Sequence, residues 1–374
     1  MADTRLTRFR RIRDCLGEAS FADRFVECRR ARAEDTNVMT KDFVIELCGF
    51  IRCETGEHPP PWDMIRKTIN TNALEADLAF VCARAVYHGL SPHFALVFRI
   101  EASEEENLYM FMEKGESLTY LLQPYKGVDY DQWLRRRTFA QEALETLDPA
   151  LSYRDYYRQA RAEGIPMKWS PYVKDDQQNA RDVFDHEIAV LSTLLNDKKE
   201  AVTQYMDFAR GPAIHYILQI IMSLLTLSFG LNMEHGDLHR GQFIAIPTED
   251  THLTYQAHGR EIYVRTHGYI ICMIDFGRSA RIEDTEGSFH ADWDYFKYQI
   301  EALFTSDEET WKHFLETVCA QISMSDLDDI LDILARYTAP FRHPEARVYR
   351  PLDPLPLDGG DYTWSTVFPP HLRD

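Results

Sequence analysis

Two hydrophobic periods divide this chain. Short apolar runs at residues 43–49, 62–67, 95–100 and 107–115 are bounded by Gly, Pro or charged residues and predict strands. Between the second and third of them, Leu74, Leu78, Val81 and Ala85 recur at helical spacing, with Glu75 beside that stripe and Asp77 on its other flank. Gly89 and Pro92 end this helix. Residues 117–212 read mostly as helix, with charged stretches at 132–146 and 185–199 separated by Gly164, Ile165 and Pro166. From Ala213 to Met233 there is no Asp, Glu, Lys or Arg. Such a length could cross a bilayer. However, Gln219, Ser223, Thr226, Gly230 and Asn232 interrupt it, so the expectation is a buried helix and no membrane span. Farther on, residues 253–255 and 261–265 flank Ala257, His258 and Gly259, a hairpin signal, and the uncharged run 269–274 predicts a buried strand. Helices are expected at 291–304, 310–323 and 325–337, and the Pro- and Gly-rich end from Pro351 as irregular.

Composition narrows the classes. With 374 residues the chain is long enough for about two domains or lobes. A net charge of −19 and a pI near 5.2 argue against a general nucleic-acid binder, so no nucleic-acid partner is expected. Basic residues do gather at the start, in Arg5, Arg8, Arg10, Arg11 and Arg13, then Arg29, Arg30 and Arg32, and they read as a solvated helix face of a basic segment over residues 1–40, with a nuclear-import or anionic-surface element as the alternative. The 7 cysteines are odd in number and form no CxxC pair, which favours reduced thiols and an intracellular setting over a disulfide framework or zinc site.

The candidate chemistry lies in two short stretches. One runs His235, Gly236, Asp237, Leu238, His239, Arg240, Gly241, Gln242; the other runs Met273, Ile274, Asp275, Phe276, Gly277. Phosphoryl transfer needs positioning and charge neutralisation more than covalent help. Asp237 fits the carboxylate that takes the proton of an attacking hydroxyl. Asp275 and Gln242 fit an oxygen pair that holds Mg²⁺ against nucleotide phosphates.

Together these motifs resemble the protein kinase family, and most of all the divergent Ser/Thr protein kinases of large DNA viruses. The resemblance implies an α+β, bilobal protein-kinase-like fold. Its small β-rich N-lobe and hinge would occupy residues 41–115, and its large, mainly helical C-lobe residues 116–350, with a helical insertion within 117–212 and an irregular tail at 351–374. It also implies ATP and Mg²⁺ as cofactors and a protein substrate that receives the γ-phosphate on Ser or Thr, in host cytoplasm or nucleus if the protein is viral.

Residue by residue, Lys67 would contact the α- and β-phosphates, with Lys41 as rival, and Glu75 would pair with it, with Asp77 as rival. The Glu113 carbonyl and Gly115 amide would face the adenine, with Met112 at the back of its pocket. His239 stands where many Ser/Thr kinases carry a lysine near the transferring phosphate, and Asp294, with Asp292 as rival, would fix the catalytic-loop backbone. Several features depart from the family. Only Gly49 and Gly56 are available where a Gly-rich loop belongs, Gly236 replaces an Arg, Gln242 replaces an Asn, and no A-P-E signature follows Gly277. Two other readings accompany the protein kinase. One is a small-molecule phosphotransferase of the aminoglycoside and choline kinase-like type, which often uses His-Gly-Asp with a later Asp; the other is a pseudokinase binding scaffold.

Overall fold

The strand-forming runs of the first third pair into one antiparallel sheet. A computed structural model describes residues 5–7, 9–10, 28–30, 45–48, 64–69, 73–102, 108–118, 121, 130–148, 151–165, 180–197, 199–303 and 309–356. Strands β1 (Cys28–Arg30), β2 (Ile45–Cys48) and β3 (Met64–Thr68) precede helix α1 (Ala73–Tyr87), and β4 (Val97–Ala102) and β5 (Leu108–Glu113) follow it. The sheet order is β1-β2-β3-β5-β4, and every neighbouring pair is antiparallel. Arg29 and Arg30, read from sequence as part of a basic segment, thus lie in a sheet strand. Lys41, Gly49, Gly56 and Trp62 lie outside the described residues.

Helix α1 buries Leu78 and Ala85 of the expected stripe, whereas Val81 is half-buried and the packed face is shifted away from Leu74. Leu74 is 54% exposed, whereas Glu75, Ala76, Leu78, Ala79, Cys82, Ala83 and Val86 are buried. Small side chains dominate that face and let the helix approach closely, so size alone misplaces the stripe. Asp77 is exposed and Glu75 points inward.

The chain divides into two compact units, one of residues 1–122, 212–305 and 313–374, the other of residues 123–211 and 306–312. In the second unit α2 (Tyr130–Glu145), α3 (Tyr153–Ala162), α4 (Ala180–Asp197) and α5 (Lys199–Arg210) succeed one another. Phe139, Tyr153, Tyr156, Val183 and Phe184 form a core there, and Arg136 pairs with Glu187 between α2 and α4.

The first unit resumes with α6 (Pro212–Leu225) and a π-helical turn over Thr226–Gly230. The helical stretch Thr203–Gly230 is long and apolar enough to cross a membrane, but 89% of its apolar window is buried inside the structure. Every residue from Ala213 to Leu225 is buried. The polar interruptions serve neighbouring backbone: Gln219 Oε1 accepts the Ile271 N–H at 2.8 Å and Gln219 Nε2 donates to the Tyr269 carbonyl at 3.2 Å.

Strands β6 (Glu116–Ser117), β8 (Phe243–Pro247) and β11 (Tyr269–Met273) form a three-stranded sheet, and β7 (Met233–Glu234) pairs with β12 (Ala280–Arg281). Between β8 and β11 stands the hairpin of β9 (His252–Ala257) and β10 (Arg260–Arg265). Ala257 faces Arg260, and His258 and Gly259 both take positive φ, 45° and 76°, as a two-residue turn of this hand needs. After β12 come α7 (Thr285–Leu303), α8 (Glu309–Phe314), α9 (Leu327–Thr338) and β13 (Arg347–Tyr349), which lies parallel to β9. The fold is α+β: in the first unit a small sheet with one helix, a link through β5 and β6, then a buried helix, a loop, paired strands and further helices.

Two histidines in this core make stability depend on pH. His93 Nδ1 donates to the Ile271 carbonyl at 2.8 Å while Nε2 meets the Tyr255 hydroxyl, and His215 Nδ1 accepts the Arg265 N–H at 3.2 Å. Burial pushes both imidazoles down to about 3 from an ordinary 6.5. The unfolded chain therefore binds protons below pH 6.5 that the folded chain refuses until about 3, so stability falls as pH drops through that window. The slope is at most about 1.4 kcal/mol per pH unit for each histidine. Urea unfolding between about pH 6.5 and 4.5 is expected to show a shallower decline in His215→Gln than in the wild type.

Candidate active site

The site begins with the alternation in β3. Ile65, Lys67 and Ile69 share the buried face of that strand, which carries the Lys67 ammonium inward. Its Nζ lies 2.5 Å from Glu75 Oε1 on α1 and 2.7 Å from Asp275 Oδ1. Burial by itself would lower the Lys67 pKa, but the two carboxylates outweigh it and hold it above the ordinary value. Glu75 is raised, because burial exceeds what Lys67 returns. At Asp275 burial also raises, yet the Lys67 charge and the Gly277 N–H win, and the carboxyl is held low. One cation thus serves two carboxylates. The surplus negative charge on hard oxygen donors suits Mg²⁺, and Asp275 would be its carboxylate ligand. Among the described residues no group of three or more His, Cys, Asp or Glu could hold a metal.

Asp275 has a φ of 66°, in the left-handed region, where a residue with a side chain is strained by about 1–2 kcal/mol. Its neighbours fix that conformation. The Ile274 N–H donates to the Gln242 carbonyl at 2.9 Å, and His235 Nε2 donates to the Ile274 carbonyl at 3.1 Å. The Phe276 ring lies 5.6 Å from His235 and 6.3 Å from Phe94.

The loop bearing Asp237 hangs from helix α7. Asp292 accepts the backbone N–H of His235 at 2.7 Å and that of Gly236 at 3.1 Å. This corrects the sequence assignment of Asp294, which is exposed; Asp292 lies on the face of α7 that buries Phe289, Trp293 and Phe296. Burial raises the Asp292 carboxyl pKa above its ordinary value despite those two donors. Gly236 has a φ of 73°, and a Cβ there would come within 2.6 Å of the Arg278 carbonyl oxygen. Glycine is therefore required where the family pattern has Arg, because the chain leaving Gly277 passes directly against the loop. Arg278 Nε then lies 3.7 Å from Asp237 Oδ2.

His239 is tied to its own loop. Its Nδ1 accepts the Gly241 N–H at 3.0 Å, and its Nε2 is 3.1 Å from the Gln242 amide atom placed as Nε2. With Nδ1 accepting, a neutral ring carries its proton on Nε2, so the amide oxygen of Gln242 belongs on the ring side. That oxygen keeps a second lone pair for a metal. The ring placed by sequence near the transferring phosphate thus orients Gln242 within the loop.

The hinge candidates lie together at the end of β5. Met112 is buried and faces Ile65 across β3. Glu113 donates its N–H to the Leu96 carbonyl at 3.0 Å, and its side chain accepts the Leu96 N–H at 2.8 Å. A Cβ on Gly115 would meet Ile244 Cβ at 2.9 Å, so glycine lets the β5–β6 link pass over β8. Arg5, which no sequence signal singles out from its basic neighbours, donates from Nη2 to Glu113 Oε2 at 2.6 Å. The connection between β1 and β2, residues 31–44, contains no glycine and lies outside the described residues.

No protein-family model matches the chain, and no curated protein matches it. Among solved structures it is similar to the GDP complex of a mutant aminoglycoside 2'-phosphotransferase-IIIa, with 12% identity, a TM-score of 0.29, and coverage of 84% of this chain and 91% of that one. The wild-type GDP complex gives 12%, 0.26, 91% and 99% on the same measures. A ternary complex of a thermostable aminoglycoside phosphotransferase APH(4)-Ia mutant with AMP-PNP and hygromycin B gives 10%, 0.24, 84% and 93%.

The two carboxylates of α7 should separate on substitution. Asp292→Asn replaces a charged acceptor of two buried N–H groups and is expected to cost about 1–3 kcal/mol in denaturant unfolding. Asp294→Asn is expected to stay within about 0.5 kcal/mol of the wild type.

Proposed function

We propose that the protein is an ATP- and Mg²⁺-dependent phosphotransferase whose acceptor is a small hydroxylated molecule. The observation that carries the phosphotransferase reading is the convergence of Lys67, Glu75 and Asp275, beside a loop that presents Asp237. Lys67, held by Glu75, would orient the nucleotide phosphates. Asp275 and the Gln242 amide oxygen would hold Mg²⁺, which supplies neutralisation of phosphate charge. Asp237 would position the acceptor hydroxyl and take its proton, with Arg278 steadying the carboxylate.

The acceptor class follows from the segment after Gly277. Helix α7 begins at Thr285, so only residues 278–284 intervene, and two of these, Ala280 and Arg281, are committed to β12. Little chain remains to form a platform for an extended peptide. A net charge of −19 favours cationic acceptors by long-range attraction. A protein Ser/Thr kinase remains the second reading, favoured by the β5 segment that ends in Met112 and Glu113.

The test is transfer of labelled γ-phosphate from Mg-ATP to two panels. One contains hydroxylated small molecules, aminoglycosides and choline included; the other contains generic proteins. Transfer to a small molecule that falls by about 10²–10⁴-fold in Asp237→Asn is the expected result. Transfer to proteins alone would move the assignment to the second reading. Mg-ATP binding without transfer to either panel would identify a scaffold.

A further inference from the structure

Arg5 belongs to a basic run that sequence reads as a solvated face, yet its side chain is only 9% exposed. Its Nε donates to Glu113 Oε1 at 2.9 Å and its Nη2 to Glu113 Oε2 at 2.6 Å, a two-pronged pair with a carboxylate that is itself 12% exposed. The same guanidinium donates from Nη1 to the Pro92 carbonyl and from Nη2 to the Phe94 carbonyl, each at 2.6 Å. Few side chains other than Arg can address a carboxylate and two carbonyls at once, because its donors form a fixed planar fork. The turn that bears it is anchored as well. Leu6 and Phe9 are buried, and Phe9 stacks on Phe98 of β4 at 5.2 Å and meets Tyr87 of α1 edge-on at 6.3 Å.

The residues that Arg5 joins have separate tasks. Glu113 ends β5. Pro92 and Phe94 belong to the loop before β4, and that loop brackets β11: the Met273 N–H donates to the His93 carbonyl at 2.8 Å, the Ala95 N–H donates to the Met273 carbonyl at 3.4 Å, and Phe94 bridges Met273 in parallel. Met273 lies two residues before Asp275. One guanidinium therefore ties the end of β5 to the strand that presents the candidate metal carboxylate.

We propose that Arg5 is a positioning residue for the nucleotide base. It holds the backbone at Glu113 and Gly115 in register with the phosphate end of the site, so the amino-terminal turn is part of the nucleotide-binding apparatus. This rests on the phosphotransferase reading. Without Arg5, Glu113 keeps the Leu96 N–H as a partner but loses its counter-charge, and two carbonyls lose a donor. The strand end then shifts or takes up water. Base contacts suffer, while Lys67, Glu75 and Asp275, which address phosphate and metal, keep their partners.

Two probes separate these effects: Mg-ATP, and Mg-tripolyphosphate, which has the phosphates without the base. Calorimetric titration of the full-length protein is expected to show Arg5→Ala weakening Mg-ATP about tenfold while Mg-tripolyphosphate changes less than about twofold. Arg5→Lys, which keeps the charge without the fork, should fall between, and it carries the test if Arg5→Ala does not fold. Adding Glu113→Gln to Arg5→Ala should recover part of the Mg-ATP affinity, since no unpaired carboxylate then remains. Unchanged Mg-ATP affinity in a folded variant, or equal loss for both probes, would overturn the positioning role and leave the phosphotransferase reading standing. A wild type that binds neither probe would remove both.

Discussion

The Lys67 ammonium between Glu75 and Asp275 is the constraint on which the rest of the site depends. Its three members come from β3, from α1 and from the end of β11, so the contact exists only if the sheet, the helix and the strand pair take their places together. Burying Glu75 is unfavourable on its own, as its raised pKa records, and removal of Lys67 would leave two carboxylates close together without a cation. The order β1-β2-β3-β5-β4 places β3 inside the sheet, where alternation points Lys67 to the buried face. A helix face of small residues then brings Glu75 close enough to meet it.

A second constraint is the crossing of two loops. Gly236 has no room for a Cβ because the Arg278 carbonyl passes over it, and Ser279 Oγ donates to the His235 carbonyl at 3.1 Å. The segment after Gly277 is thus packed onto the loop that bears Asp237, and it reaches α7 within a few residues. Asp292 then closes the circuit by accepting the loop's own N–H groups. Fixed contacts thus order this segment.

Much of this was legible in the chain where the chemistry is local. The β9–β10 hairpin is encoded by its two turn residues, and β11 by an uncharged run. Positions decided by distant partners were not legible. Asp292 and Asp294 are two residues apart on one helix, and only the location of the His235 and Gly236 N–H groups distinguishes them. Arg5 looks like any arginine of a basic run, and its role appears only when Glu113, Pro92 and Phe94 are brought to it. The stripe on α1 misled because Leu74 and Val81 outweigh alanine in apolar character, whereas the helix packs by fit.

Several buried polar residues of the first unit converge on β11 and the residue after it. Gln219 from α6 satisfies Ile271 and Tyr269; His93 satisfies Ile271 through its ring and Met273 through its carbonyl; the Gln242 carbonyl and the His235 ring each take one side of Ile274. Burial keeps His93 neutral, so its ring donates through one nitrogen and accepts through the other across the physiological range. Apolar packing would bury β11 equally well but would not fix its position along its own axis. Directional bonds from three separate segments do fix it, and what they fix is the residue that follows, Asp275 in its left-handed conformation. Gln219 in an otherwise apolar helix, and His93 buried in the core, are thus explained by a single requirement: a strained carboxylate must be presented at one place.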